Sequence, residues 1–216
     1  MKKKICLLAV LLFNVGAILS AQPKPEKIDN LYNREVEEVV SDLIVKWDES
    51  SSVYINEVHG IKWSLPRYLK WTGRPIVSGS TIFKMRNEDY LILVSINVGN
   101  TGREIDAWKI IDTYKSPEFI REIKKNALLS ETVYIDSKAT KELICDIHTN
   151  KIVTEYEISQ SDFPAGYYRL AYQYQLGNGE NVYTFNITGL YLQKAEYEDF
   201  GKLVNDIIRG LHIKKL

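Results

Sequence analysis

Cysteine is nearly absent from this sequence. The 216 residues include two, Cys6 and Cys145, and Cys6 lies inside an apolar run near the N-terminus. A lone Cys145 forms no internal disulfide, so the domain must rely on an apolar core. Charge of one sign is also missing: 28 basic and 28 acidic side chains give a formal net charge of zero. A binder of phosphate backbones needs a basic surface, so nucleic acid is not an expected partner. The signature motifs of catalysis are missing as well. There is no G-x-S-x-G, no G-x-x-x-x-G-K-[ST], no H-E-x-x-H and no C-x-x-C. What the chain does have is 45% hydrophobic residues, which excludes a chain too polar to fold.

The N-terminus has the three-part layout of a secretory signal peptide. Lys2, Lys3 and Lys4 precede an apolar stretch from Ile5 to Leu19, and the small residues Ser20 and Ala21 precede a polar run. The apolar part is short for a spanning helix, which needs about 20 residues. Cleavage after Ala21 is expected, with no transmembrane segment left afterwards. It removes three lysines and no acids, leaving a net charge of −3. The expected organisation is residues 1–21 as signal peptide, 22–52 as a polar lead-in with an N-terminal helix, and 53–216 as one α+β domain.

Residues 30–47 carry Tyr32, Val36, Val39, Val40, Leu43, Ile44 and Trp47 at helical spacing, predicting a helix that runs to about Trp47. Strands are expected at 53–58, 61–65, 81–86 and 90–98. A short helix around Ile105, Trp108 and Ile111 follows, then a second one opened by Ser116, Pro117 and Glu118. Further strands are expected at 132–136, 142–148, 152–158, 167–176 and 182–190, with a closing helix at 195–210. Phe200, Leu203, Val204, Ile207, Ile208 and Leu211 form the inward stripe of that last helix. The pattern is an antiparallel sheet flanked by helices.

Two stretches resemble the PsbP-like family. HGIKWSLPRYLKW (59–71) is similar to the family's opening, with a Gly, an apolar-alternating strand, a Pro and a Trp. YYRLAYQYQLGNGENVYTFNITG (167–189), followed by a closing helix and a short apolar tail, is similar to its ending. The resemblance covers about residues 53–213. It implies an α/β/α sandwich shared with a Ran-binding nuclear-import factor and DcrB-like bacterial envelope proteins, and a binding or accessory role rather than catalysis. The family's Ran-binding and photosystem-docking residues have no match here, and the helix at 30–47 is an addition to the pattern.

One polar constellation stands out. Asp146 and His148 are two apart on one strand face, and Glu155 and Glu157 are two apart on the next. A turn at Thr149-Asn150-Lys151 brings all four together. Carboxylates with one imidazole can hold a divalent cation or do general acid–base work. The alternative is a solvated face of cross-strand pairs. Cys145, opposite that face, reads as a small buried hydrophobe. The 14 tyrosines and four tryptophans pose a similar choice between a core face and a groove for carbohydrate or peptide. Asn186-Ile187-Thr188 matches a glycosylation sequon but falls inside a strand. The expected protein is therefore exported to the periplasm or medium, non-catalytic, and free of metal and cofactor. Its expected partner is another envelope protein or a small ligand. A hydrolase or metal-dependent enzyme on the 146/148/155/157 face is the alternative, and a module using exposed aromatics a third reading.

Overall fold

The computed structural model describes residues 45–48, 50–71, 75–76, 80–86, 90–159 and 165–214. The expected signal peptide, the lead-in and most of the expected N-terminal helix lie outside these residues. Two antiparallel sheets organise the rest. Strands β1 (Val45–Asp48), β2 (Val53–Asn56), β3 (Ile61–Ser64) and β11 (Leu211–Ile213) form one, in the order β1-β2-β3-β11. The other has seven strands: β4 (Pro75–Ile76), β5 (Ser80–Arg86), β6 (Leu91–Asn100), β7 (Thr132–Ile144), β8 (Ile147–Ile158), β9 (Tyr168–Asn178) and β10 (Asn181–Leu192). Its order is β4-β5-β6-β10-β9-β8-β7, so β7 is an edge strand.

Helix α1 (Pro117–Leu129) starts where the sequence says it should. The Ser116 hydroxyl accepts from the Phe119 N–H at 3.2 Å, Pro117 occupies the first turn, and Glu118 complements the helix dipole. Phe119, Ile123 and Ala127 are its buried face, and they meet Ile152 and Tyr156 of β8. A 3-10 helix (Ala107–Lys115) lies beside it. Helix α2 (Tyr197–Arg209) covers the opposite face of the sheet. Phe200, Val204 and Ile207 are fully buried there, with Leu203 and Ile208 packed alongside. Leu211, read as the end of that stripe, belongs instead to β11. The four-stranded sheet joins α2 on this side: the Trp63 indole N–H donates to the Ile207 carbonyl at 2.8 Å, and its ring meets Phe185 edge-on at 5.0 Å. The fold is α+β, as expected, with two sheets rather than one.

Three local expectations are corrected. Val45–Asp48, expected as the end of a helix running to Trp47, is a strand, because it pairs with β2, Trp47 opposite Tyr54. The strand-pairing partner overrides the helical spacing. The strands expected at 167–176 and 182–190 run closer together, to Asn178 and from Asn181, and turn at Gly179-Glu180. Gly177 stays in the strand, and glycine is needed there because a Cβ would lie 2.1 Å from the Ile105 carbonyl oxygen. The third correction concerns β7 and β8, which form one long hairpin without a break at 149–151.

Candidate functional site

The β7–β8 hairpin decides the fate of the polar constellation. Its turn is Cys145-Asp146, with φ of 52° and 58°. Two successive residues in the left-handed region make the tight connection whose twist matches the flanking strands. Asp tolerates that conformation better than most residues. The polar residues that look like a turn lie instead within the strand, where the buried Asn150 Oδ1 is left without a hydrogen bond among the described residues. Asn150 is fully buried and its amide donates to the Ala107 carbonyl, while the Thr149 hydroxyl donates to the Ile147 carbonyl at 3.0 Å.

The four residues therefore separate. Asp146 is exposed in the turn, and His148 is the second residue of β8, opposite Leu143. Glu155 and Glu157 lie further along that same strand, opposite Asp136 and Val133. His148 and Glu155 are seven residues apart, about 23 Å of extended chain, and alternation puts them on opposite sheet faces. Among the described residues, no three His, Cys, Asp or Glu side chains converge on a common ion position. Cys145 is in the turn rather than on a strand face, but it does pack against the core as a small hydrophobe. Its Sγ donates to the Leu211 carbonyl at 3.2 Å.

Two separate polar clusters replace the expected one. His148 Nδ1 lies 2.9 Å from Asp106 Oδ1, and its ring stacks on Trp108 at 3.8 Å with the planes 5° apart. Asp106 also accepts from the Trp108 N–H at 3.0 Å, capping the 3-10 helix. The Trp108 indole N–H is shared between the carbonyls of Glu142 and Thr149, both at 3.1 Å. Partial burial pushes the Asp106 carboxyl up, but the bonds from His148 and Trp108 outweigh it and hold the group below its ordinary value. This cluster ties the 3-10 helix to the hairpin, and among the described residues no Ser, Thr or Cys hydroxyl or thiol is bonded to the imidazole.

The second cluster surrounds Glu155. Lys194 and the Tyr197 hydroxyl both donate to its carboxylate, the latter at 3.1 Å. The Lys194 ammonium stands 4.5 Å from the Tyr168 ring centre and 4.8 Å from that of Tyr197. Nothing in the sequence spacing links Lys194 and Tyr197 to Glu155, because the contact closes across about forty residues of chain. The tyrosine row is largely core. Tyr174 and Tyr183 are buried, Tyr172 packs edge-on against Phe200 at 5.8 Å, and Lys151 covers the rings of Tyr172 and Tyr174.

Besides Val58, Tyr68 and Leu143, the exposed large apolar side chains among the described residues fall in one stretch of chain. Leu128 is 73% exposed, Leu129 68%, Val133 45% and Ile135 42%. These four occupy one segment, LLSETVYI, which runs off the end of α1 into edge strand β7. Ile135 sits at an irregularity between Tyr134 and Asp136 that interrupts pairing with β8. Exposed Lys124, Lys125, Glu131 and Asp136 flank the ridge in the chain.

No family model matches this chain, and no curated protein does. Solved structures similar to it include these three. The solution structure of cyanobacterial PsbP (CyanoP) from Synechocystis sp. PCC 6803 is 14% identical, with a TM-score of 0.46, covering 77% of this chain and 94% of that one. A Bacteroides thetaiotaomicron crystal structure is 15% identical with a TM-score of 0.41, covering 72% of this chain and 46% of that one. LpqN, described as involved in cell envelope biogenesis of Mycobacterium tuberculosis, is 14% identical with a TM-score of 0.41, covering 71% and 83%. Each likeness is one of fold. Among the described residues, no helix is long and apolar enough to cross a membrane.

Proposed function

We propose that this is an exported, non-catalytic binding or assembly protein of the bacterial envelope, which holds a protein partner on the ridge Leu128–Ile135. The observation that carries the reading is the ridge itself. Four large apolar side chains stand in water within eight residues, flanked by charges. Apolar patches rimmed by polar residues mark interaction surfaces on soluble domains. A ridge projecting from a helix end and an edge strand suits the apolar surface of another protein, whereas small molecules are taken up in concave sites. The dispersal of Asp146, His148, Glu155 and Glu157 supports the non-catalytic part, and the order of residues 1–21 supports export.

The test is site-specific photocrosslinking in the producing cell. A crosslinking residue at Leu129 or Ile135 gives one discrete adduct with the same protein. The same residue at Tyr68, exposed on the α2 side where its hydroxyl meets Asp206, does not give it. Leu128→Glu weakens binding of that purified partner at least tenfold, as expected when an apolar anchor is replaced by a charge. No adduct from the ridge, or the same adducts from all three positions, contradicts the reading.

A further inference from the structure

The cluster around Glu155 has the makings of an ammonium site. The Tyr168 and Tyr197 rings stand at 90° with centres 6.0 Å apart, so they form two walls of a corner. The Glu155 carboxylate closes a third side. Its side chain is 19% exposed, so it acts at reduced dielectric, where a charge contact is stronger than in bulk water. Aromatic faces bind cations through their ring quadrupole, more strongly the less water reaches the contact. A cation therefore gains from all three walls at once. The present occupant is the chain's own Lys194, which is only loosely enclosed. Its side chain is 53% exposed, and it stands on a three-residue 3-10 turn (Lys194–Glu196) rather than in α2.

The walls are fixed independently of the occupant. Tyr168 and Glu155 are on adjacent strands of the sheet, and Tyr197 is the first residue of α2, anchored by Phe200 one turn on. The Tyr197 hydroxyl keeps its bond to Glu155, and burial together with that carboxylate holds the phenol protonated well above its ordinary range. Lys194 can thus leave without dismantling the corner.

From this geometry we propose that Tyr168, Tyr197 and Glu155 form a recognition site for a primary alkylammonium group, which Lys194 fills in the unliganded protein and an external amine displaces. The carboxylate wall makes the site selective. A primary ammonium donates hydrogen bonds to Glu155 while lying against the rings, and a quaternary ammonium has no N–H to donate. The same chemistry is offered by a free amine and by a lysine side chain in a partner protein. This site is independent of the ridge at 128–135.

The experiment titrates the purified full chain with n-butylammonium, tetramethylammonium and a blocked Gly-Lys-Gly peptide. Binding is followed through NMR shifts of Tyr168 and Tyr197. Lys194→Ala, checked for an unchanged circular dichroism spectrum, binds n-butylammonium at least tenfold more tightly than wild type. It prefers n-butylammonium to tetramethylammonium, and Glu155→Gln in the Lys194→Ala background loses at least tenfold. Peptide binding tighter than the free amine assigns the site to a protein lysine; the reverse order assigns it to a small amine. A folded Lys194→Ala protein that binds no more tightly than wild type overturns the proposal, as does binding indifferent to Glu155→Gln.

Discussion

The two faces of the seven-stranded sheet are built differently. The face under α2 and the four-stranded sheet is a continuous apolar layer, with Trp63, Ile92, Val94, Phe185, Ile187, Phe200, Val204 and Ile207 essentially removed from water. The face under α1 divides into two smaller clusters, one around Phe119 and Tyr156 and one around Leu91 and Leu190. Between these faces the polar content also differs. Ser95, Asn150, Thr154, Arg169, Gln175 and Thr184 are buried on the α1 side by strand alternation. Arg169 lies over the Tyr156 ring at 3.7 Å, with its Nε unpartnered, and burial lowers its affinity for the proton. Stability is concentrated on the α2 side. On the α1 side, apolar packing is traded for polar groups that fix the 3-10 helix and the hairpin in one arrangement.

The largest effects should come from the α2 face. Phe200→Ala is expected to cost about 3–5 kcal/mol, read as a fall in the urea midpoint. Phe200 is fully buried and meets Tyr90 and Tyr172 edge-on. An unchanged midpoint would mean that α2 is not integral. Gly210→Ala comes next, at about 1–3 kcal/mol or more. A Cβ there would lie 1.8 Å from the Ser64 carbonyl oxygen, where α2 hands over to β11, so the backbone must move.

On the α1 face, Arg169→Met should stabilise by about 1 kcal/mol. Replacing a buried charge by an apolar side chain of similar volume is often neutral or stabilising, because desolvating the guanidinium costs several kcal/mol against the roughly 2 kcal/mol that its contact with Tyr156 returns. A loss of stability on thermal or urea unfolding would show that the Tyr156 contact outweighs the cost of burying the guanidinium. The smallest effect belongs to Asp106→Asn and depends on pH. Because the folded carboxyl titrates below its unfolded value, its contribution is present at pH 7 and fades as the pH falls through the folded pKa. The difference in urea midpoint between wild type and Asp106→Asn should therefore shrink between pH 5 and pH 2.5. A difference that grows with acid reverses the sign and rules out the His148 contact as its source.

Much of this contrast is written in local pattern. The Ser116-Pro117-Glu118 start, the Phe200/Val204/Ile207 stripe and the runs of β6, β9 and β10 each announce their element, because period and capping are local properties. The site is less legible. Asn150 has the composition of a turn residue and the role of a buried strand residue, since its side-chain N–H donates to the carbonyl of Ala107, far away in the chain. Cys145 and Asp146 form the actual turn without Gly or Asn to signal it. Lys194 and Tyr197 reach Glu155, and Asp106 reaches His148, only through pairing across the sheet or against it. Likewise, a strand's neighbour turns Val45–Asp48 away from the helix that its spacing suggests.

The register of the β7–β8 hairpin carries the central claim, because it separates His148 from Glu155 and Glu157. It is tested most directly by disulfide trapping in a Cys145→Ser background. Leu143→Cys with His148→Cys places two thiols directly opposite across the hairpin, and they should oxidise readily to an intramolecular bond. His148→Cys with Ile152→Cys places them four residues apart on one strand, about 13 Å, and should not. A turn at 149–151 predicts the reverse, so a bond in the second pair and none in the first would contradict the account.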